Sequence, residues 1–263
     1  MQRTDRVFPM VLCVWIVISA MGLALPPGIV AAGVTLVTHG YNSDANGWVS
    51  ALADEITHYP GFPGTNFTIY KITVTTDGAS YFYQWQRTDG NPPSTTDSGE
   101  IILKLDWSQM AGGPTAPYDI STYDVAEVVS SVLLETNSIT ELGGHALVEY
   151  PIHLIGHSRG GSLVNQLSLQ LGTNGVWVDH LTTLDPHPLN NDGNFDLLLP
   201  TDASAGNTYA NVLFRDNYWQ NVPGGFLDFN GEPVPGAYDR YLDDQETTDD
   251  YTNATSHHSN IHL

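Results

Sequence analysis

One short stretch carries residues able to do covalent chemistry: Gly156-His157-Ser158-Arg159-Gly160-Gly161. It follows Pro151 and the apolar run 152–155. It precedes Leu163, Val164, Leu167 and Leu171, which recur at helical spacing on one face. The pattern predicts a strand, a sharp turn and a helix, with the serine at the turn. Gly156 and Gly160 let strand and helix pass where a Cβ would clash. A serine so held is a nucleophile elbow, its hydroxyl standing clear of the turn beside the N–H groups of a helix start. The bare pattern is weak in a chain with 25 glycines. Its strand–turn–helix context gives it weight over a plain glycine-rich turn.

A serine hydroxyl attacks only when a base takes its proton. That base is usually a histidine held by a buried carboxylate. Both partners are sought downstream. Asp185 directly follows the apolar run 176–184, and Pro186 fixes the turn after it. Its bland reading is an Asp-Pro turn in which the side chain caps backbone. Asp216 follows a second run, 211–215, and is the rival acid. The histidine is sought in the late cluster His257, His258 and His262, with His258 ahead of the other two. Three histidines so close could instead bind a metal. That would need further ligands, and HExxH is absent, so no metal is expected. His153 is expected to pack inside its strand, and His157 to line the elbow. The developing oxyanion needs backbone N–H donors. Arg159, next after the serine, supplies one. Tyr41, after His39-Gly40, supplies the other, unless His39-Gly40 is an ordinary strand-to-loop turn.

The elements that must carry these residues follow from periodicity. Residues 33–38 are a β-branched strand. Trp48, Leu52 and Ile56 mark a helix, with Ser43 and Asp44 as capping candidates. Residues 66–74 alternate like a strand. Residues 77–99 are an aromatic insertion or hairpin, either roofing a substrate pocket or lying on the surface. A strand at 101–108 precedes a Gly-, Pro- and Tyr-rich loop at 110–120. Val125, Val128, Val129, Val132 and Leu133 then form a helical stripe. The loop 190–194 carries Asp and Asn at short spacing but lacks the acidic first position of a calcium loop. Residues 222–237 read as loop. Strands alternating with helices predict a mostly parallel sheet with helices on both faces.

A chain of 263 residues suits one domain. Its formal charge of −21 opposes phosphate backbones, so nucleic acid is an unfavourable partner. Residues 1–32 have the basic, apolar and small-residue order of a secretory signal, leaving 33–263 as the mature domain. The apolar run is long enough to compete as a membrane anchor, but the small residues and Pro26-Pro27 that follow favour cleavage, so export without stable membrane insertion is the expectation. The single cysteine, Cys13, falls in that leader, so the mature chain has no disulfide. Asn66-Phe67-Thr68 and Asn253-Ala254-Thr255 are glycosylation acceptors only in a host that glycosylates.

Taken together, His39-Gly40-Tyr41, the serine turn, Thr183-Leu184-Asp185-Pro186 and a late histidine resemble the α/β-hydrolase superfamily, on its lipase and esterase side. The similarity covers roughly residues 33–263. Leu184-Asp185-Pro186 resembles the acid loop of the pancreatic-lipase group, and Leu105-Asp106-Trp107 resembles that group's strand end. The resemblance favours Asp185 over Asp216. It implies hydrolysis of small-molecule or lipid esters through an acyl-serine, with Ser158, Asp185 and His258 in the leading roles and no cofactor. Two features depart from it. The mature chain has no cysteine where that group is disulfide-rich. The chain also stops five residues after His258, where a helix usually follows, so either the sequence is a fragment or that helix is missing and the sheet is completed unusually. Two other readings stay open: a non-catalytic secreted binding protein on the same scaffold, and a serine hydrolase of amides or polyesters.

Overall fold

The computed structural model describes residues 33–58, 66–93, 99–191, 200–221, 230–242, 258 and 261. The leader, His257, His262 and the acceptor at Asn253 lie outside these residues.

Eight strands form one sheet. They are β1 (Gly33–Thr38), β2 (Phe67–Thr76), β3 (Tyr81–Gly90), β4 (Glu100–Asp106), β5 (Ile152–His157), β6 (Val178–Leu184), β7 (Val212–Trp219) and β8 (Tyr238–Tyr241). Their spatial order is β3-β2-β4-β1-β5-β6-β7-β8. All neighbours pair in parallel except the β2–β3 hairpin. Among the described residues, three α-helices pack on the sheet: α1 (Trp48–His58), α2 (Thr122–Leu134) and α3 (Arg159–Thr173). The architecture is a mostly parallel α/β sheet with helices packed on it, as the alternation of periods predicts.

The central strands are apolar on both faces because helices lie on both. In β1, Val34 and Leu36 join the main core, which also takes Leu154 of β5, Val125 and Val129 of α2, and Leu163, Val164, Leu167 and Leu171 of α3. Val37 points the other way, to a smaller core with Val49 of α1 and Ile155 of β5. Parallel strands of one sheet end together, so the loops after β1, β4, β5, β6 and β7 share one edge. The candidate residues of the serine turn, the oxyanion loop and the acid loop all fall there.

Several expectations change. The strand begun at 211–215 runs on to Trp219. Asp216 therefore lies inside β7, opposite Thr182, and not beyond its end. The aromatic hairpin is β2 with β3, and β3 is an outer strand with Tyr81, Phe82 and Tyr83 exposed. Its place on the outer edge makes it a surface hairpin, with Trp85 packed edge-on against Tyr70. Ser43 and Asp44 stand clear of α1, which starts at Trp48; the Asp44 carboxylate accepts instead from the Asn46 N–H at 2.8 Å. Polar Tyr238 to Tyr241 adds β8, which pairs with β7 although its sequence carries no apolar alternation.

Candidate active site

Ser158 sits between β5 and α3 with φ 56 and ψ −127, a backbone region that non-glycine residues rarely adopt. The sharp turn needs a near-contact behind it. A Cβ on Gly156 would lie 2.2 Å from the Gly160 carbonyl oxygen, so this position excludes side chains. The turn is tied into its neighbours by main-chain bonds. The Ser158 N–H donates to the Leu184 carbonyl at 2.9 Å, and the His187 N–H donates to the Ser158 carbonyl at 3.1 Å. Asp185 also has positive φ, 44°, and its N–H donates to Tyr218. Two strained turns, after β5 and after β6, thus brace each other.

His258 bridges them. Its Nε2 lies 2.7 Å from the Ser158 hydroxyl oxygen, and its Nδ1 lies 2.6 Å from Asp185 Oδ2. A carboxylate only accepts, so Nδ1 carries the proton and Nε2 is left to accept from the hydroxyl. Asp185 is fully buried. Its remaining acceptor capacity is met by Gln220, whose backbone N–H reaches Oδ1 at 2.9 Å and whose side-chain amide reaches Oδ2 at 2.9 Å. A buried carboxylate so satisfied holds a neighbouring imidazole in one orientation. The rival Asp216 makes no contact with His258. Its carboxylate faces His180 at 3.1 Å, and His180 stacks on His153 with ring centroids 3.9 Å apart. His153 is accordingly packed in its strand.

The histidine is anchored from its main chain as well. His157 Nε2 lies 2.6 Å from the His258 carbonyl oxygen, and the His157 ring sits edge-on to Trp48. His187 stands at the same site, its ring centroid 5.8 Å from that of His258.

The loop after β1 runs close against the serine. A Cβ on Gly40 would meet Ser158 Cβ at 2.7 Å and the Arg159 amide nitrogen at 3.0 Å. Only glycine allows that approach. Tyr41 follows at once. Among the described residues, neither the Tyr41 nor the Arg159 backbone N–H donates to a group of the chain. The loop is held from behind. Trp107 donates its backbone N–H to His39 Nε2 at 3.2 Å and its indole N–H to the His39 carbonyl at 3.1 Å, and the two rings stack.

The Arg159 side chain has a separate task, which its place in the motif does not reveal. It is fully buried, and its guanidinium makes a two-bond fork with Asp202 at 2.6 and 2.9 Å. It also reaches Asp119 at 2.8 Å and the Ile120 carbonyl at 2.8 Å. Burial works against its charge, but Asp202 and then Asp119 overcome this and raise its pKa above the ordinary arginine value. Asp202 also accepts from the backbone N–H groups of Thr122 and Leu189. The cluster ties the start of α3 to the start of α2 and to the loop before β7. Asp202 and Gln220 carry no motif signal. Gln220 could have been sought by one rule only, that polar residues just past parallel strands face the site.

Among the described residues, no group of three or more His, Asp or Glu could hold a metal ion. The arrangement that remains can deprotonate one hydroxyl next to two unengaged amide donors.

No family model matches the chain, and no curated protein matches it. Solved structures do resemble it. One is a protein of Lactobacillus plantarum WCFS1 provisionally called a cell surface hydrolase: 14% identity, TM-score 0.40, over 78% of this chain and 72% of that one. Another is the lin2722 gene product of Listeria innocua: 14% identity, TM-score 0.42, over 79% and 74%. A third is RedJ, solved with a PEG molecule in its active site: 17% identity, TM-score 0.32, over 65% and 50%. At these TM-scores the likeness carries no weight for activity, and the chemistry rests on the side chains of this chain.

Proposed function

We propose that the protein is an exported serine hydrolase that cleaves carboxylic esters through an acyl-serine intermediate. The observation that carries this is the hydrogen-bonded series from Ser158 through His258 to Asp185, at 2.7 and 2.6 Å. In the first half-reaction, His258 Nε2 takes the Ser158 proton as Oγ bonds to the ester carbonyl carbon. Charge on the carbonyl oxygen is met by the Arg159 and Tyr41 amides, a stabilisation worth about 3 kcal/mol per donor in comparable sites. The tetrahedral adduct collapses, and the imidazolium gives its proton to the leaving alkoxide. Water then repeats the attack on the acyl-serine, passing its proton to His258. That proton returns to Ser158 as the carboxylic acid leaves. Asp185 orients the ring and offsets its positive charge throughout. No cofactor enters this sequence.

A histidine within hydrogen-bond reach of Ser158 supports catalysis over a non-catalytic binding role. Amide and polyester bonds could be cut by the same chemistry, and a substrate panel separates them. Export rests on the leader pattern at 1–32; among the described residues, no helix is long and apolar enough to cross a membrane. The decisive experiment is labelling with a fluorophosphonate probe. It should modify Ser158 in the wild type and nothing in Ser158→Ala. A folded wild type that is never labelled would overturn the proposal.

A further inference from the structure

An open groove of about 430 Å³ lies between the loop after β1 and the loop after β4, with Asn42, Ser43, Asp44, Gln109, Gly112 and Thr115 among its lining. Its position ties it to the serine. β1 lies between β5, which delivers Ser158, and β4. Gly40 touches the serine, and Asn42 follows two residues later. Adjacent strands are about 4.8 Å apart, so the two walls of the groove stand roughly 5 and 10 Å to one side of the elbow's strand. It lies on the side away from Asp185, whose strand β6 is on the other flank of β5.

The chemistry of the lining is unusual for a lipid site. Small-molecule pockets are mostly apolar, with a few polar groups. Among the described residues, none that lines the groove is aliphatic or aromatic. Among the described residues, the side chains of Asn42, Ser43, Gln109 and Thr115 make no hydrogen bond within the chain. A hydrocarbon chain laid here would strip water from these groups and give nothing back. A ligand rich in hydroxyls would replace that water. One flat apolar face is at hand. The Tyr41 ring lies over Gly112, where a Cβ would meet Tyr41 Cε2 at 2.7 Å, and Tyr41 is 36% exposed. Such a face suits the C–H side of a sugar ring. Asp44 and the formal charge of −21 disfavour anionic groups.

We infer that the groove binds the neutral sugar half of an O-acylated carbohydrate, so that the ester cut at Ser158 is a sugar ester. This rests on the serine-hydrolase reading and narrows its substrate class.

Two esters of the same acid test it: a monoacetylated methyl glucoside and hexyl acetate. The sugar ester should have a kcat/KM at least about tenfold higher, through KM, since two or more hydrogen bonds favour it. Gln109→Ala and the isosteric Thr115→Val should each cut the ratio of the two kcat/KM values about threefold to tenfold. Equal or better use of hexyl acetate, or variants that leave the ratio unchanged, would overturn the inference. A binding experiment separates it from the parent reading. Methyl cellobioside titrated into Ser158→Ala should shift the amide resonances of residues 42–44 and 108–115. If those resonances shift but the probe never labels Ser158, the groove stands and the hydrolase falls. If the probe labels and no resonance shifts, the groove is wrong.

Discussion

The imidazole of His157 donates to the main-chain carbonyl of His258, at 2.6 Å. A carbonyl only accepts, so His157 carries its proton on Nε2. The residue before the serine therefore pins the segment that delivers the base. Its role is positioning, not proton transfer. His157→Phe keeps a ring against Trp48 and removes the donor. We expect kcat on a small ester to fall about tenfold to a hundredfold, as for a base misplaced by an ångström, with KM little changed. His258→Ala should instead cost about a thousandfold or more. Steady-state kinetics on both variants, with thermal melts as a folding control, check this.

Gln220 satisfies the acid twice, from backbone and from side chain. Gln220→Ala leaves the backbone donor, and activity should fall only about fivefold. Gln220→Glu sets a second carboxylate against Asp185, and like charges that close do not both ionise. The pair should then hold a proton near neutrality, weakening the pull on His258. The expected outcome is a larger loss than for Ala, with the acid limb of the pH–rate profile moved up. A profile that does not move counts against this role for Gln220.

Without Asp202 the buried Arg159 charge keeps only the partly exposed Asp119 and the Ile120 carbonyl as partners. Asp202→Ala should destabilise the fold by about 3 kcal/mol or more, because removing one partner leaves the other charged and dry. Asp119 is partly exposed, and Asp119→Ala should cost about 1 kcal/mol. Urea unfolding of both variants measures the difference. Equal costs would show that the two carboxylates share the charge evenly.

Burial, then the neighbouring His180, holds the His153 imidazole down, from 6.5 to about 3. The folded protein thus resists a proton that the unfolded chain accepts. Between these values the unfolded state binds more protons, so stability falls as pH drops from 6.5 towards 3. The contribution is fully present above pH 6.5. His153→Gln removes this slope, and its stability curve should be flatter than that of the wild type across pH 6.5 to 3.

Legibility in the sequence followed the strength of local signals. Ser158, Asp185 and the elements around them announce themselves through glycine spacing, apolar runs and a proline after the acid. Asp216 looked equivalent only because the run 211–215 seems to end before it. The strand continues through polar Asp216 and Asn217 because β6 and β8 flank it and satisfy its backbone. Pairing, which sequence period does not report, decided that boundary. Asp202 and Gln220 were silent for a related reason. Each acts on a residue more than thirty positions away, and nothing in its own neighbourhood encodes that partner. The uncommitted polar side chains between β1 and β4 become a groove only when the strand order is known.

The base lies 100 residues beyond the serine and 73 beyond the acid. A chain leaving the ribosome folds from its leading end. The elbow and the acid turn are therefore made before the residue that bridges them. Until that late segment docks, Ser158 is an ordinary alcohol on a scaffold already shaped around it.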